Sequence, residues 1–130
     1  ARVDLTGIIL KPNMVIDGKH ARKAGVEQVA ERTLAVLKAT VPSTVPGIAF
    51  LSGGQTTEEA TAHLSAMNAM GPLPWKLTFS YGRALQAPAL KAWGGKTENV
   101  AAGQRAFNHR ARMNGLAAVG TWAAELEKAA

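Results

Sequence analysis

Three stretches of this chain place chemically useful side chains directly behind short apolar runs. Lys11 follows Gly7-Ile8-Ile9-Leu10, Ser52-Gly53-Gly54 follows the run from Gly47 to Leu51, and Ser80-Tyr81-Gly82-Arg83 follows the run from Trp75 to Phe79. A lysine attacks a carbonyl only as the neutral amine, and a pKa of about 10.4 leaves less than roughly 0.1% of it neutral at pH 7. Desolvation or nearby positive charge lowers that pKa and makes the amine a Schiff-base nucleophile, whose iminium is then an electron sink for cleavage of the adjacent carbon–carbon bond. The plain alternative is a strand-end lysine with its head in water. Ser52-Gly53-Gly54 offers exposed backbone amides between a strand and a helix, a setting that suits an anion, although such glycines more often serve turn geometry. Arg83, behind Ser80 and Gly82, has the forked donors to grip phosphate oxygens, although a lone arginine is more often a surface residue.

Other candidates are poorer. His20, His63 and His109 lack metal-ligand spacing and are expected on the surface or on helix faces. Trp75, Trp93 and Trp122 are expected to be packing groups. Glu58 and Glu59 belong to a helix start, and no pair of carboxylates stands out as a general acid and base.

The elements that must position these groups alternate in type. Strands are expected near residues 7–11, 47–52 and 75–80, each bounded by glycine, proline or asparagine. Val26, Val29, Ala30, Leu34 and Leu37 fall at helical spacing and predict a helix that ends near Thr40, before Pro42. Thr56 and Glu59 form a capping box for a second helix with Ala60, Leu64 and Met67 on its apolar face. Pro88 predicts a turn and then a short helix to Trp93, ended by Gly94 and Gly95. Thr97 is expected to cap the last helix, which runs past Phe107 towards Val119. Strands that alternate with helices pair in parallel, so Lys11, Ser52 and Arg83 should meet at the C-terminal edge of one sheet, where α/β proteins bind ligands.

Composition narrows the function classes. The chain has 130 residues, 47% of them hydrophobic, which fits one α/β domain with a core, and a net charge of +6. That charge suits nucleic acid, an acidic membrane surface or a phosphorylated ligand. Its basic residues are scattered, with three Phe, three Trp and one Tyr among them, a thinner pattern than a nucleic-acid footprint usually shows. There are no cysteines, hence no disulfide framework, thiolate metal site or cysteine nucleophile. No apolar run approaches the roughly 18 residues of a membrane helix, and the chain reads as soluble. It opens on Ala1 with a strand almost at once, which suggests that the natural chain extends upstream.

Four segments taken in order carry a resemblance: Leu10-Lys11-Pro12-Asn13-Met14, Phe50-Leu51-Ser52-Gly53-Gly54-Gln55, Leu77-Thr78-Phe79-Ser80-Tyr81-Gly82-Arg83-Ala84-Leu85-Gln86, and Lys91-Ala92-Trp93-Gly94-Gly95-Lys96. Together they resemble the signature segments of class I, Schiff-base-forming fructose-bisphosphate aldolases, over nearly the whole chain from Gly7 onward. The resemblance implies a (β/α)8 TIM barrel of which residues 1–130 form the C-terminal part, roughly the last three βα units. It implies Lys11 as the catalytic Schiff-base lysine and Ser52, Gly53, Ser80, Gly82 and Arg83 as the group that binds substrate phosphate. It further implies phosphorylated ketose and triose substrates, no metal or other cofactor, a cytoplasmic homo-oligomer, typically a tetramer, and no nucleic-acid or membrane partner.

The sequence departs from the family's pattern in two ways. Three strands cannot close an eight-stranded barrel, so the first five strands are expected outside this chain, together with acidic proton-transfer residues, a further active-site lysine and part of the other phosphate site. The isolated segment is accordingly expected to be inactive. The end at Glu127-Lys128-Ala129-Ala130 lacks the tyrosine-ended tail of animal members, which favours a bacterial type. The rival readings are another lysine-dependent aldolase or a transaldolase, and a non-catalytic basic binding module.

Overall fold

The three apolar runs pair side by side in chain order. In the computed structural model, which describes residues 1–128, strands β1 (Ile9–Leu10), β2 (Gly47–Phe50) and β3 (Lys76–Phe79) form one parallel sheet in the order β1-β2-β3. Ile9 pairs with Gly47 and Gly47 with Lys76, so Leu10, Ile48 and Leu77 share the next level and Phe50 pairs with Phe79. Parallel neighbours need a crossover, supplied by helices α1 (Val26–Thr40) and α2 (Thr57–Ala69). Unreversed strand order with right-handed crossovers puts successive helices on one face of the sheet. The burial follows: Ile48, Phe50 and Leu77 sit in the core, whereas Ile9 on the opposite face is 62% exposed. That one-sided cover is what the wall of a βα barrel requires.

Helix α1 lays Val29, Ala30, Leu34 and Leu37 into this core, and α2 adds Ala60, Leu64 and Met67. Each of the valine, leucine and methionine side chains among them contributes about 1.5–3 kcal/mol through burial. Thr33 is buried in the same stripe because its hydroxyl donates to the Val29 carbonyl at 2.7 Å and accepts from the Val15 amide at 2.9 Å, pinning the loop after β1 to α1. Asn68 of α2 donates to the Leu77 carbonyl at 3.4 Å and the Ala117 carbonyl at 3.1 Å, tying the sheet to the last helix. After β3 come α3 (Arg83–Trp93) and α4 (Val100–Ala117), which pack on each other, α4 also packing on α2. Among the described residues, no helix is long and apolar enough to cross a membrane.

Several expectations change. The first strand is shorter than residues 7–11, because Leu5–Gly7 is a 3-10 turn whose Thr6 amide is held by the Asp4 carboxylate at 3.0 Å. The second and third strands stop at Phe50 and Phe79, which leaves Ser52 and Ser80 in loops. Pro88 makes no turn: it lies inside α3, where its fixed φ suits the helix, although it has no N–H for the Ala84 carbonyl and its ring crowds that group. Gly94 ends α3 in the left-handed conformation, with φ of 58°, as expected. Thr97 does not cap the last helix; a 3-10 turn over Thr97–Asn99 intervenes, and α4 begins at Val100. Trp75 is a packing group whose indole donates to the Pro42 carbonyl at 3.1 Å, but Trp93 is 41% exposed in a groove between α3 and α4 with Leu90, Val100 and Phe107. His63 is on a helix face but is buried, at 4% exposure, because α2 packs against α1, α3, α4 and β3. Residues 129 and 130, part of the tail discussed above, lie outside the described residues.

A buried charge pair closes the C-terminal end. Arg110, 4% exposed, pairs with Glu127 of the 3-10 turn Ala124–Lys128 and donates to the Thr61 hydroxyl of α2 at 2.7 Å. The same carboxylate accepts from the Trp122 indole at 2.9 Å and meets His109 Nε2 at 3.0 Å. Burial alone would raise the Glu127 pKa, but the hydrogen bonds from His109, Arg110 and Trp122 outweigh it and hold the group below its ordinary value. A depressed carboxylate pKa stabilises the fold above the unfolded-state value, and that contribution disappears as pH falls through the folded-state value. Glu127→Ala, which strands a buried guanidinium, is expected to cost about 3 kcal/mol in urea denaturation at pH 7. The gap between wild type and variant should narrow once the pH drops below about 4.3.

Candidate active site

Because the strands are parallel, the loops that follow them open at one edge of the sheet. Lys11 continues β1 by one residue and, by the two-residue alternation of a strand, shares the uncovered face with Ile9, Ala49 and Thr78. It is exposed. Ser52 and Gly53, half-buried, lie in the loop after β2; Ser80, Gly82 and Arg83, all exposed, follow β3. The fold thus gathers the sequence-predicted residues at a single edge.

The three loops are bonded to one another. The Leu51 amide donates to the Pro12 carbonyl at 3.0 Å, which ties the loop after β2 to the loop that carries Lys11. The Ser80 amide donates to the Phe50 carbonyl at 2.9 Å, which extends the β2–β3 ladder by one rung. Tyr81 then turns inward, where its hydroxyl donates to the Ala60 carbonyl at 2.8 Å and burial raises its pKa. That anchor sets the start of α3, with buried Ala84 behind it.

Three helices start at this edge; α1 begins on Gly25 without a side-chain cap, and the N-termini of α2 and α3 differ. At α2 the Thr56 hydroxyl accepts from the Glu59 amide at 3.2 Å and the Glu59 carboxylate accepts from the Thr56 amide at 2.9 Å, the capping box expected from sequence. Glu59 also pairs with Lys23; burial would raise its pKa, but the bonds from Lys23 and Thr56 prevail and lower it, while the Lys23 pKa is raised by the same bond. The α2 terminus is therefore satisfied by its own side chains. At α3 the cap is Gly82, which has no side chain to offer, and Arg83 stands in the first turn. An uncapped helix terminus with an arginine beside it can accept an anion through amides and guanidinium together.

Asn13, Gln55 and His63 have no role in the sequence reading, yet they join two of the loops. Asn13 Nδ2 donates to the Gly53 carbonyl at 3.1 Å, Gln55 Nε2 donates to Asn13 Oδ1 at 3.3 Å, and His63 Nδ1 meets Gln55 Oε1 at 2.8 Å. Burial lowers the His63 pKa; Glu59 and Asp17 oppose that shift and Lys23 adds to it. Asn13 and Gln55 lie within two of the segments that carry the resemblance, but no periodicity shows that they meet, because their partners are separated by up to 42 residues.

Parallel βα units with one covered face and all their loops at one edge define a section of a (β/α)8 barrel. The chain matches the family "Fructose-bisphosphate aldolase class-I" over residues 1–130. It is 55% identical over 122 residues to the probable fructose-bisphosphate aldolase class 1 of Xanthomonas axonopodis pv. citri, covering 92% of this chain and 36% of that protein. It is 56% identical over 124 residues to the fructose-bisphosphate aldolase of Drosophila melanogaster, covering 94% and 34%. Among solved structures it resembles the fructose-bisphosphate aldolase of Plasmodium falciparum, determined in complex with TRAP and a small-molecule inhibitor. The TM-score is 0.89 at 49% identity, over 92% of this chain and 35% of that one. This chain belongs to the class-I fructose-bisphosphate aldolase family, and it spans about a third of the length of the curated relatives it matches.

Gly54 shows how closely the loops fit. Its φ is 74°, and a Cβ there would meet Ile16 Cδ1, of the loop after β1, at 2.7 Å. The Ile16 methyl group can swing aside, so the left-handed backbone sets the minimum cost. Gly54→Ala is expected to lower stability by about 1–2 kcal/mol in urea denaturation.

Proposed function

We propose that this chain supplies the Schiff-base lysine and one phosphate site to a class I fructose-bisphosphate aldolase. The enzyme reversibly cleaves fructose 1,6-bisphosphate to dihydroxyacetone phosphate and glyceraldehyde 3-phosphate, a step of glycolysis and gluconeogenesis. The observation that supports it most is the position of Lys11 at the C-terminal end of β1, on the uncovered sheet face, beside the loops of Ser52 and Arg83 in a chain of this family.

The chemistry follows from these groups. Lys11 Nζ adds to the C2 carbonyl of the open-chain ketose, and the carbinolamine loses water to give an iminium. A base takes the C4 hydroxyl proton, the C3–C4 bond breaks, and its electron pair moves into the iminium as an enamine while glyceraldehyde 3-phosphate leaves. Protonation of the enamine and hydrolysis return dihydroxyacetone phosphate and free Lys11. In this reading the proton-transfer groups lie on the strands that complete the barrel.

Ser52, Gly53, Ser80, Gly82 and Arg83 hold one phosphate. Gly82 leaves the α3 terminus open to it, and Arg83 brings a charged fork. The assembled protein is read as a cytoplasmic homo-oligomer, a tetramer in keeping with the resemblance.

In the complete barrel, Lys11→Ala is expected to reduce cleavage of fructose 1,6-bisphosphate to background in a coupled assay; persistent turnover would assign the chemistry elsewhere. Arg83→Ala is expected to weaken binding of the bisphosphate by about 1.5–3 kcal/mol, the range for charge-assisted hydrogen bonds, visible as a raised KM.

A further inference from the structure

Three side chains outside the groups assigned above form a directed relay from the body of α2 to the Ser52–Gly54 loop, which is bonded to the loop that follows Lys11. The direction is set at its ends. The Met14 amide donates to Asn13 Oδ1 at 2.9 Å and the Gly53 carbonyl accepts from Asn13 Nδ2 at 3.1 Å, so the Asn13 amide has one satisfactory orientation. With its oxygen fixed, Asn13 must be met by an N–H, and Gln55 Nε2 supplies it at 3.3 Å. Gln55 then presents its oxygen to His63, so the proton must sit on His63 Nδ1, 2.8 Å away. Two backbone groups thus dictate the histidine tautomer.

We propose that His63 is a positioning residue, which acts through Gln55 and Asn13 to hold the Gly53 carbonyl, and with it the Ser52–Gly54 loop, at a set distance from Lys11. His63 suits the role because it is nearly enclosed, at 4% exposure, in a helix packed on both of its neighbours. Asn13 suits it because it stands two residues after Lys11 in the chain and bonds across to the second loop. The relay therefore couples a rigid helix to the spacing between the amine and the phosphate loop, a spacing on which the reaction depends steeply. Protonation of His63 leaves the Nδ1 proton in place, so the relay is best probed by substitution.

The inference rests on the aldolase reading given above, and the test separates the two. The complete protein is titrated with dihydroxyacetone phosphate, adducts are trapped with borohydride, and KM and kcat for fructose 1,6-bisphosphate are measured in parallel. Gln55→Met, at a half-buried loop position, and His63→Leu each break the relay. Both are expected to raise KM and the half-saturating concentration for trapping about 3- to 10-fold, the worth of one hydrogen bond. His63→Asn, whose Nδ2 stands where Nδ1 stood, should restore wild-type values within about twofold. The double variant should be no worse than either single change, since all act on one relay. Loss of stability alone would lower the amount of active protein without moving KM. If wild type forms the adduct and Gln55→Met matches it at every concentration, the positioning role is overturned by itself. If wild type forms no adduct, the aldolase reading falls and this inference with it.

Discussion

Strand β2 is hydrogen-bonded along both edges, to β1 on one side and β3 on the other, and the site hangs from that double pairing. Parallel registration forces each connection back through a helix, which delivers every post-strand loop to the same edge. The ladder does not stop where the strands do. The Leu51 amide reaches Pro12 and the Ser80 amide reaches Phe50, so each loop begins bonded to its neighbour. Chemistry that needs an amine and an anion site a few ångströms apart is served by such a frame, because positions on regular pairing are held more tightly than positions on free loops.

Helix α2 is the second support. It is buried on several sides, and several of its polar residues tie elements together rather than face water. Asn68 joins β3 and α4, Thr61 joins Asn114 and Arg110, and His63 reaches back to the site loops. The helix N-terminus, closed by Thr56 and Glu59, is spent on its own fold. The α3 terminus is open, as is that of α1 at Gly25, but at α3 an arginine, Arg83, stands in the first turn. An open terminus together with Arg83 is what marks α3 as the candidate ligand site.

Local signals were legible in the sequence. The apolar stripe from Val29 to Leu37, the capping box at Thr56 and the glycine stop at Gly94 each rest on interactions within a few residues, and each appears as expected. The placement of Lys11, Ser52 and Arg83 at one edge followed from strand–helix alternation. Elsewhere tertiary contacts decided the outcome. Pro88 reads as a helix breaker, yet the pairing of α3 with α4 carries the helix through it. His63 is on a helix face, one of the two placements expected, yet the neighbours of α2 enclose it. Asn13 and Gln55 bond partners about forty residues away, and Glu127 closes on Arg110 from the far end of the chain. Pattern along a sequence does not report such meetings.

In the proposed reaction Lys11 is the amine that becomes covalently attached to substrate. That attachment is tested most directly by borohydride reduction of the complete wild-type protein in the presence of dihydroxyacetone phosphate, followed by proteolysis and mass spectrometric mapping of the modified peptide. One stable adduct is expected, on the peptide that contains Leu10-Lys11-Pro12-Asn13. An adduct confined to another lysine, or none on a protein that cleaves fructose 1,6-bisphosphate, would contradict the role of Lys11.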